Sequence, residues 1–159
     1  MRGLADHYGQ ADQADVWAMV GLLHDVDWSI TQNENMEAHC GEKLEEILSE
    51  VGADQDFIET IRSHYWEHGV PVDTLLRKAL FAVDELCGLI VAATYVRPSK
   101  KMSEVEAKSV IKKMKDKAFA AAVDRELIKT CETHLDTTLL DFVEITLKAM
   151  QKVANEHGL

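Results

Sequence analysis

Residues 79–93 read Ala-Leu-Phe-Ala-Val-Asp-Glu-Leu-Cys-Gly-Leu-Ile-Val-Ala-Ala, an apolar run long enough for several helical turns. Leu76, Leu80, Asp84, Cys87, Gly88 and Val91 recur there at three- and four-residue steps, the spacing that stacks side chains on one face of a helix. Almost every other segment shares this periodicity. No useful stretch alternates apolar with polar residues, and prolines occur only at Pro71 and Pro98, so strands have little to build on. The expected fold class is all-α. At 159 residues, 47% of them hydrophobic, the chain can fill one core, which places residues 1–159 in a single domain, a bundle of about seven or eight helices.

The periodicity predicts helices near 1–8, 13–25, 35–51, 54–67, 72–96, 103–116, 118–134 and 137–157. Asn35 is the expected cap of the third, and Gly52 its left-handed end. Pro71 is expected at a first helical turn, and Ser103 with Glu106 has capping-box spacing. Leu139, Leu140, Val143, Leu147, Met150 and Val153 form the expected core-facing stripe of the last helix, which Gly158 follows.

The net charge of −11 argues against binding a nucleic-acid polymer, but it is unevenly spread. Residues 97–117 hold eight Lys or Arg against three acids, a net +5, which leaves −16 on the rest. Such a local patch suits a small anion, and its plainer reading is a solvated helix face. Arg97, Lys100 and Lys101 lead it, directly after the Asp84 helix, so chain order puts Arg97 and Lys101 at the border of any site there. No uncharged stretch has the length of a membrane span, and no basic-then-apolar signal pattern opens the chain, so a cytoplasmic protein is expected. Cys40, Cys87 and Cys131 read as reduced thiols, with Cys87 a small core residue.

His24-Asp25 closes the apolar stretch 16–23, and Asp84 sits on an otherwise apolar helix face that is expected to point into the core. A bare carboxylate there would cost several kcal/mol, roughly, without a cationic partner. A divalent ion held jointly by His24, Asp25 and Asp84 supplies one. Imidazole and carboxylate together suit Mn, Fe, Co, Ni, Zn or Mg, and the sequence does not choose among them. The alternatives are a helix-terminal hydrogen-bond pair for His24-Asp25 and pairing of Asp84 with Lys78, Arg77 or a backbone donor. His64 and His68, four residues apart, would share one helical face. Glu85 is a polar neighbour of Asp84, and Asp27 is expected to cap and solvate its turn rather than to reach the site with its carboxylate.

Gly-Leu-Leu-His-Asp at 21–25 and Ala-Val-Asp-Glu-Leu-Cys-Gly-Leu-Ile at 82–90 resemble the His-Asp motif and late Asp motif of the HD-domain metal-dependent phosphohydrolases. The resemblance covers nearly the whole chain and is strongest to an HDIG-like branch of predicted hydrolases, in which segments similar to 96–101 and 119–126 occur. It implies an HD-type helical bundle in which His24, Asp25 and Asp84 hold a metal that activates water against a small phosphate ester, a nucleotide being one candidate. It also implies that His39 and His64 stand beside a second metal or the scissile phosphate, so that His64 and Asp25 take the catalytic roles while Arg97 or Lys101 offsets substrate charge. Two departures stand out. The family's additional histidine on the first helix falls before Met1, with His7 too late to replace it, and Asp27 stands where the common motif has glycine. A catalytically silent HD-type domain that binds a nucleotide or partner is therefore the competing expectation. A purely structural module is a third, and a homo-oligomer stays open.

Overall fold

The 79–93 run becomes the middle of the longest helix, Leu75–Tyr95, and the rest of the protein is arranged about it. Thr74 starts this helix by accepting the Arg77 backbone N–H on its hydroxyl, satisfying one of the donors a helix start leaves free. The computed structural model describes residues 1–31 and 38–154. In chain order the helices are α1 (Arg2–His7), α2 (Ala14–Leu23), α3 (Trp28–Thr31), α4 (Glu42–Glu50), α5 (Gln55–Arg62), α6 (Leu75–Tyr95), α7 (Ala107–Met114), α8 (Arg125–Lys129), α9 (Cys131–His134) and α10 (Leu139–Val153). Single 3₁₀ turns lie at Ala11–Gln13, Trp66–His68 and Met102–Glu104. No strand occurs among the described residues, as the patterning requires.

The apolar interior has two parts. The larger gathers Leu4, Trp17, Leu86, Ile90, Val110 and Phe142 from α1, α2, α6, α7 and α10. Each such fully buried side chain contributes about 1.5–3 kcal/mol relative to exposure. Gly3 permits the close approach of α1 to α10, since a Cβ there would lie 2.5 Å from Ala149 Cβ. The smaller part joins Val20, Leu44, Leu48, Ile58, Ile61 and Leu80, so that α2, α4, α5 and the first half of α6 close over it. The ends of α2 and α5, the 38–41 turn and the middle of α6 meet beside it, and the candidate site is built there.

Several sequence expectations are corrected. The segment 38–41 is a turn, and α4 begins only at Glu42. The 54–67 helix stops at Arg62 because the Ser63 hydroxyl and His64 Nδ1 turn back to bond the Thr60 and Ile61 carbonyls. The 118–134 helix is instead a looped stretch followed by α8 and α9, and Arg125 ties the loop by donating to the carbonyls of Phe119, Ala120 and Val123. Pro71 lies before the first turn of α6, and α7 is not closed by a Ser103–Glu106 box, since Glu106 itself stands at its cap. On α10, Val143 and Leu147 are buried but Leu140 and Val153 are exposed, so the core stripe is narrower than the sequence suggests. Gly52 does end α4 with a left-handed φ of 81°. Asn35 and Gly158 lie outside the described residues.

Candidate metal centre

His24 and His64 are presented in the same way. Each lies just beyond the last turn of its helix, α2 or α5, and donates Nδ1–H to the carbonyl three residues back. His24 bonds Gly21 O at 2.9 Å and His64 bonds Ile61 O at 2.6 Å. A carbonyl can only accept, so Nδ1 carries the proton and Nε2 of each ring projects forward. His39 is turned by a different device. Its Nδ1 lies 3.1 Å from Oδ1 of the fully buried Asp27, an ion-pair distance off the line of a hydrogen bond, and its Nε2 also faces the centre. A carboxylate behind an imidazole is the usual device for orienting a metal-binding histidine.

The three Nε2 atoms converge on Asp25. Oδ1 of Asp25 is 3.3 Å from His39 Nε2 and 3.6 Å from His64 Nε2, while Oδ2 is 3.5 Å from His24 Nε2. Asp84, from the middle of α6, closes the other side with Oδ1 3.2 Å from His24 Nε2. His39 Nε2 and His64 Nε2 are only 3.3 Å apart. The structure thus brings together His24, Asp25, His39, His64 and Asp84, residues scattered over 60 positions of sequence. Asp84 is not sunk in the core. Its side chain is 34% exposed, Gly88 on the same face is open, and the core-facing side of α6 is the one carrying Ala82, Leu86 and Ile90.

The electrostatics follow from this crowding. Burial disfavours the charged forms of His39 and His64, but the neighbouring acids outweigh it. Asp25 and Asp27 hold His39 up to about 11, and Asp25 with Cys40 holds His64 up to about 10. His24 is raised for the same reason, by Asp84 and Asp25 against burial. Burial would raise Asp25, yet the facing His39, His64 and His24 hold it well below the usual carboxylate range. The acids thus favour positive charge on the facing rings, which protons supply where no metal is bound.

Cys40 is the residue sequence reasoning missed. Its sulfur is buried, 3.5 Å from His39 Nε2 and 4.0 Å from His64 Nε2, and His39, Cys40 and His64 form a buried group that could hold a metal ion. The reading of Asp27 as a turn cap in solvent is corrected, because Asp27 is 0% exposed, and its Oδ2 accepts the Cys40 N–H at 2.8 Å. His68 does not share a helix face with His64. It follows the end of α5 and donates from Nε2 to the His39 carbonyl at 2.5 Å. Arg77 pairs with Asp56 and Asp73 rather than with Asp84.

A cavity of about 260 Å³ opens onto the centre, lined by Asp25, His39, His64 and Asp84, with Trp28, Tyr65 and Trp66 at its wall and Glu85, Asp124 and Leu127 opposite. Burial and the nearby Asp84 push the Glu85 carboxyl up. Arg97 and Lys101 are absent from this lining. Arg97 donates to the Glu104 carbonyl and Lys101 is exposed, because the chain leaves α6 away from Asp84. Their placement at the substrate is corrected accordingly. A larger hollow of about 830 Å³, bordered by Lys115, Lys117, Arg125 and Lys129, lies apart and shares only Asp124 with the site cavity. His7 is exposed at the end of α1 with its ring against Tyr8, not at the centre. No described helix is long and apolar enough to cross a membrane. No protein-family model matches the chain, and no curated protein or solved structure does either.

Proposed function

We propose that the protein is a metal-dependent phosphohydrolase of the HD type acting on a small phosphate ester, with a nucleotide as the leading candidate. The observation that carries this reading is the convergence of three imidazole nitrogens and two carboxylates on one point. The Nε2 atoms of His24, His39 and His64 meet the carboxylates of Asp25 and Asp84 at 3.2–3.6 Å, and two of those nitrogens are only 3.3 Å apart. Without an ion the rings meet these acids through their own protons, and a divalent cation that binds neutral imidazole and ionised carboxylate would take the place of those protons. The donor set fits Mn, Fe, Co, Ni, Zn or Mg. Divalent ions bound there would lower the pKa of water and offset charge developing on a phosphoryl group.

The chain's own residues divide the work. His24 and Asp84 hold one side of the centre, His39 and His64 the other, and Asp25 turns one oxygen to each. Asp25 and His64 face the cavity where a phosphate would sit. Trp28, Tyr65 and Trp66 offer flat apolar surface for the group that the phosphate esterifies, a nucleobase being a suitable one. No lysine or arginine lines the described cavity, so the ions and histidines are left to neutralise the phosphate.

The test is elemental analysis of purified, tag-free protein prepared without chelators, followed by a phosphatase and nucleotidase screen with each candidate metal. Asp84→Ala is expected to lose the ion at His24 and Asp25 and to lose hydrolysis while remaining helical by circular dichroism. Full activity in that variant would overturn the assignment. The cation-free lining favours a second reading, a silent HD-type domain that binds a ligand, and saturable nucleotide binding without product in the metal-loaded protein would establish it.

A further inference from the structure

We propose that Cys40 is a thiolate ligand, so that Asp25 divides the centre into two unlike metal sites: a tetrahedral, zinc-selective one of His39, Cys40, His64 and Asp25, and an oxygen-rich one of His24, Asp25 and Asp84. The inference rests on the metal-centre reading above and extends it to the identity of the ions.

The edges that join His39, His64 and Asp25 in the first site are already close to tetrahedral ones. A four-coordinate ion with nitrogen at about 2.05 Å and sulfur at about 2.3 Å separates paired nitrogens by about 3.3 Å and nitrogen from sulfur by about 3.6 Å. Here His39 Nε2 and His64 Nε2 are 3.3 Å apart, and Cys40 Sγ lies 3.5 Å from the first and 4.0 Å from the second, with His64 Nδ1 slightly nearer at 3.8 Å. Asp25 Oδ1, at 3.3 and 3.6 Å from the same two nitrogens, is placed to take the fourth corner. A small turn of the His64 ring, bringing Nε2 rather than Nδ1 towards the sulfur, closes the long edge.

The backbone supplies a second observation. Cys40 has a φ of 59°, a left-handed conformation that glycine adopts freely and a residue with a Cβ does not. It is held there from both sides, its N–H by Asp27 Oδ2 at 2.8 Å and its carbonyl by Arg62 Nε at 2.9 Å. A turn that only had to change direction would be served better by glycine. What this conformation achieves is to aim the sulfur at the two imidazoles while the other side of the residue packs in the smaller apolar cluster. Cys87 and Cys131 have no such surroundings, being grouped with the larger core.

The two sites then differ in chemical character. Sulfur and imidazole select a borderline-soft ion such as zinc, whereas two carboxylates with one imidazole accept manganese, iron or magnesium and leave positions open for water and a phosphate oxygen. The working centre is therefore expected to hold two different metals.

Cobalt titration of the metal-depleted full chain tests this directly. Binding at Cys40 produces a thiolate-to-cobalt charge-transfer absorption in the near ultraviolet together with the strong visible absorption of tetrahedral cobalt. Both are expected to be displaced by zinc and not by magnesium. Cys40→Ser is expected to lose the charge-transfer band while still taking up cobalt at His24 and Asp84, and Asp84→Ala to keep the band and lose that other equivalent. Circular dichroism on both variants checks that the fold is intact. Cobalt bound without the band, or a band that survives Cys40→Ser, overturns the thiolate assignment and leaves the metal-centre reading standing. Failure of the wild-type protein to bind cobalt at all overturns both.

Discussion

The buried carboxylate of Asp27 accepts the Cys40 backbone N–H at 2.8 Å, and its other oxygen lies 3.1 Å from His39 Nδ1. One side chain thus fixes both residues of the corner that feeds the site. Asp27→Ala leaves that N–H without an acceptor in the interior, and the expected cost is about 1–3 kcal/mol, read as a lower unfolding midpoint. Asp27→Asn keeps an acceptor oxygen and is expected to recover most of the stability. It also removes the negative charge behind His39, so metal affinity should fall on the order of 10-fold or more even where the fold is restored. Isothermal titration with zinc separates the two effects, and an Asn variant with unchanged affinity would show that Asp27 serves the fold alone.

Arg62 holds the same corner from the opposite side. Its Nε donates to the Cys40 carbonyl, and its two terminal nitrogens bond Glu59 and Glu45, so one guanidinium joins the end of α5 to α4 and to the 38–41 turn. Lysine cannot span three acceptors with one ammonium. Arg62→Lys is therefore expected to behave nearly as Arg62→Ala in weakening metal binding at His39 and His64, with little effect on the His24 and Asp84 side. Cobalt stoichiometry at two protein concentrations reads this, and equal weakening of both sides would contradict it.

The parts of this site that were legible in the sequence are those set by helix ends and helix faces. His24-Asp25 stood at the end of an apolar stretch and Asp84 on a periodic face, which paired them across 60 residues, although the burial expected of Asp84 is not there and its side chain is 34% exposed. His39 and His64 could be named as candidates only through the family resemblance. What remained hidden was the chemistry of turns. Nothing in the pattern marks 38–41 as nonhelical, since no proline or strong breaker precedes Gly41, and the left-handed Cys40 exists only because Asp27 and Arg62 reach it from other elements. The same cause accounts for Asp27 and His68, whose partners are backbone atoms of that turn. Arg97 and Lys101 were misplaced for a different reason: adjacency in the chain was read as adjacency in space, and α6 carries them away from Asp84.

Trp28 provides a reporter that needs no substrate. Its indole lies 5.1 Å from the His39 ring in an edge-on arrangement, at the wall of the cavity, while Trp17 is buried in the larger core. Filling the His39 side of the centre is expected to change tryptophan emission in proportion to metal bound, and Trp28→Phe to abolish most of that change without altering stoichiometry. A signal that persists in the variant would assign the response to Trp66, which is 63% exposed, and so to movement at the cavity mouth rather than at His39.

Added metal should offset the loss of stability that the metal-free protein suffers as pH rises. In the metal-free protein His39 is held up to about 11 and His64 up to about 10, against an ordinary value of 6.5. A histidine raised in the folded state contributes stability that is fully present below the unfolded value and is lost as pH climbs towards the folded one. Asp25, held below the usual carboxylate range, contributes in the opposite sense: its stabilisation is present above about pH 4 and is lost as pH falls further. Metal-free protein is therefore expected to be most stable between about pH 4 and 6.5, with its unfolding midpoint declining from there through about pH 10. Metal competes with those same protons, because it binds neutral imidazole and ionised carboxylate. The gain in midpoint on adding saturating zinc should accordingly grow across the interval in which the metal-free protein weakens. Thermal unfolding with and without zinc, followed at half-unit pH steps, measures both slopes. A metal-free midpoint that rises above about pH 6.5, or a zinc-induced gain that shrinks there, would show that the histidines are not held by these carboxylates as protonated partners.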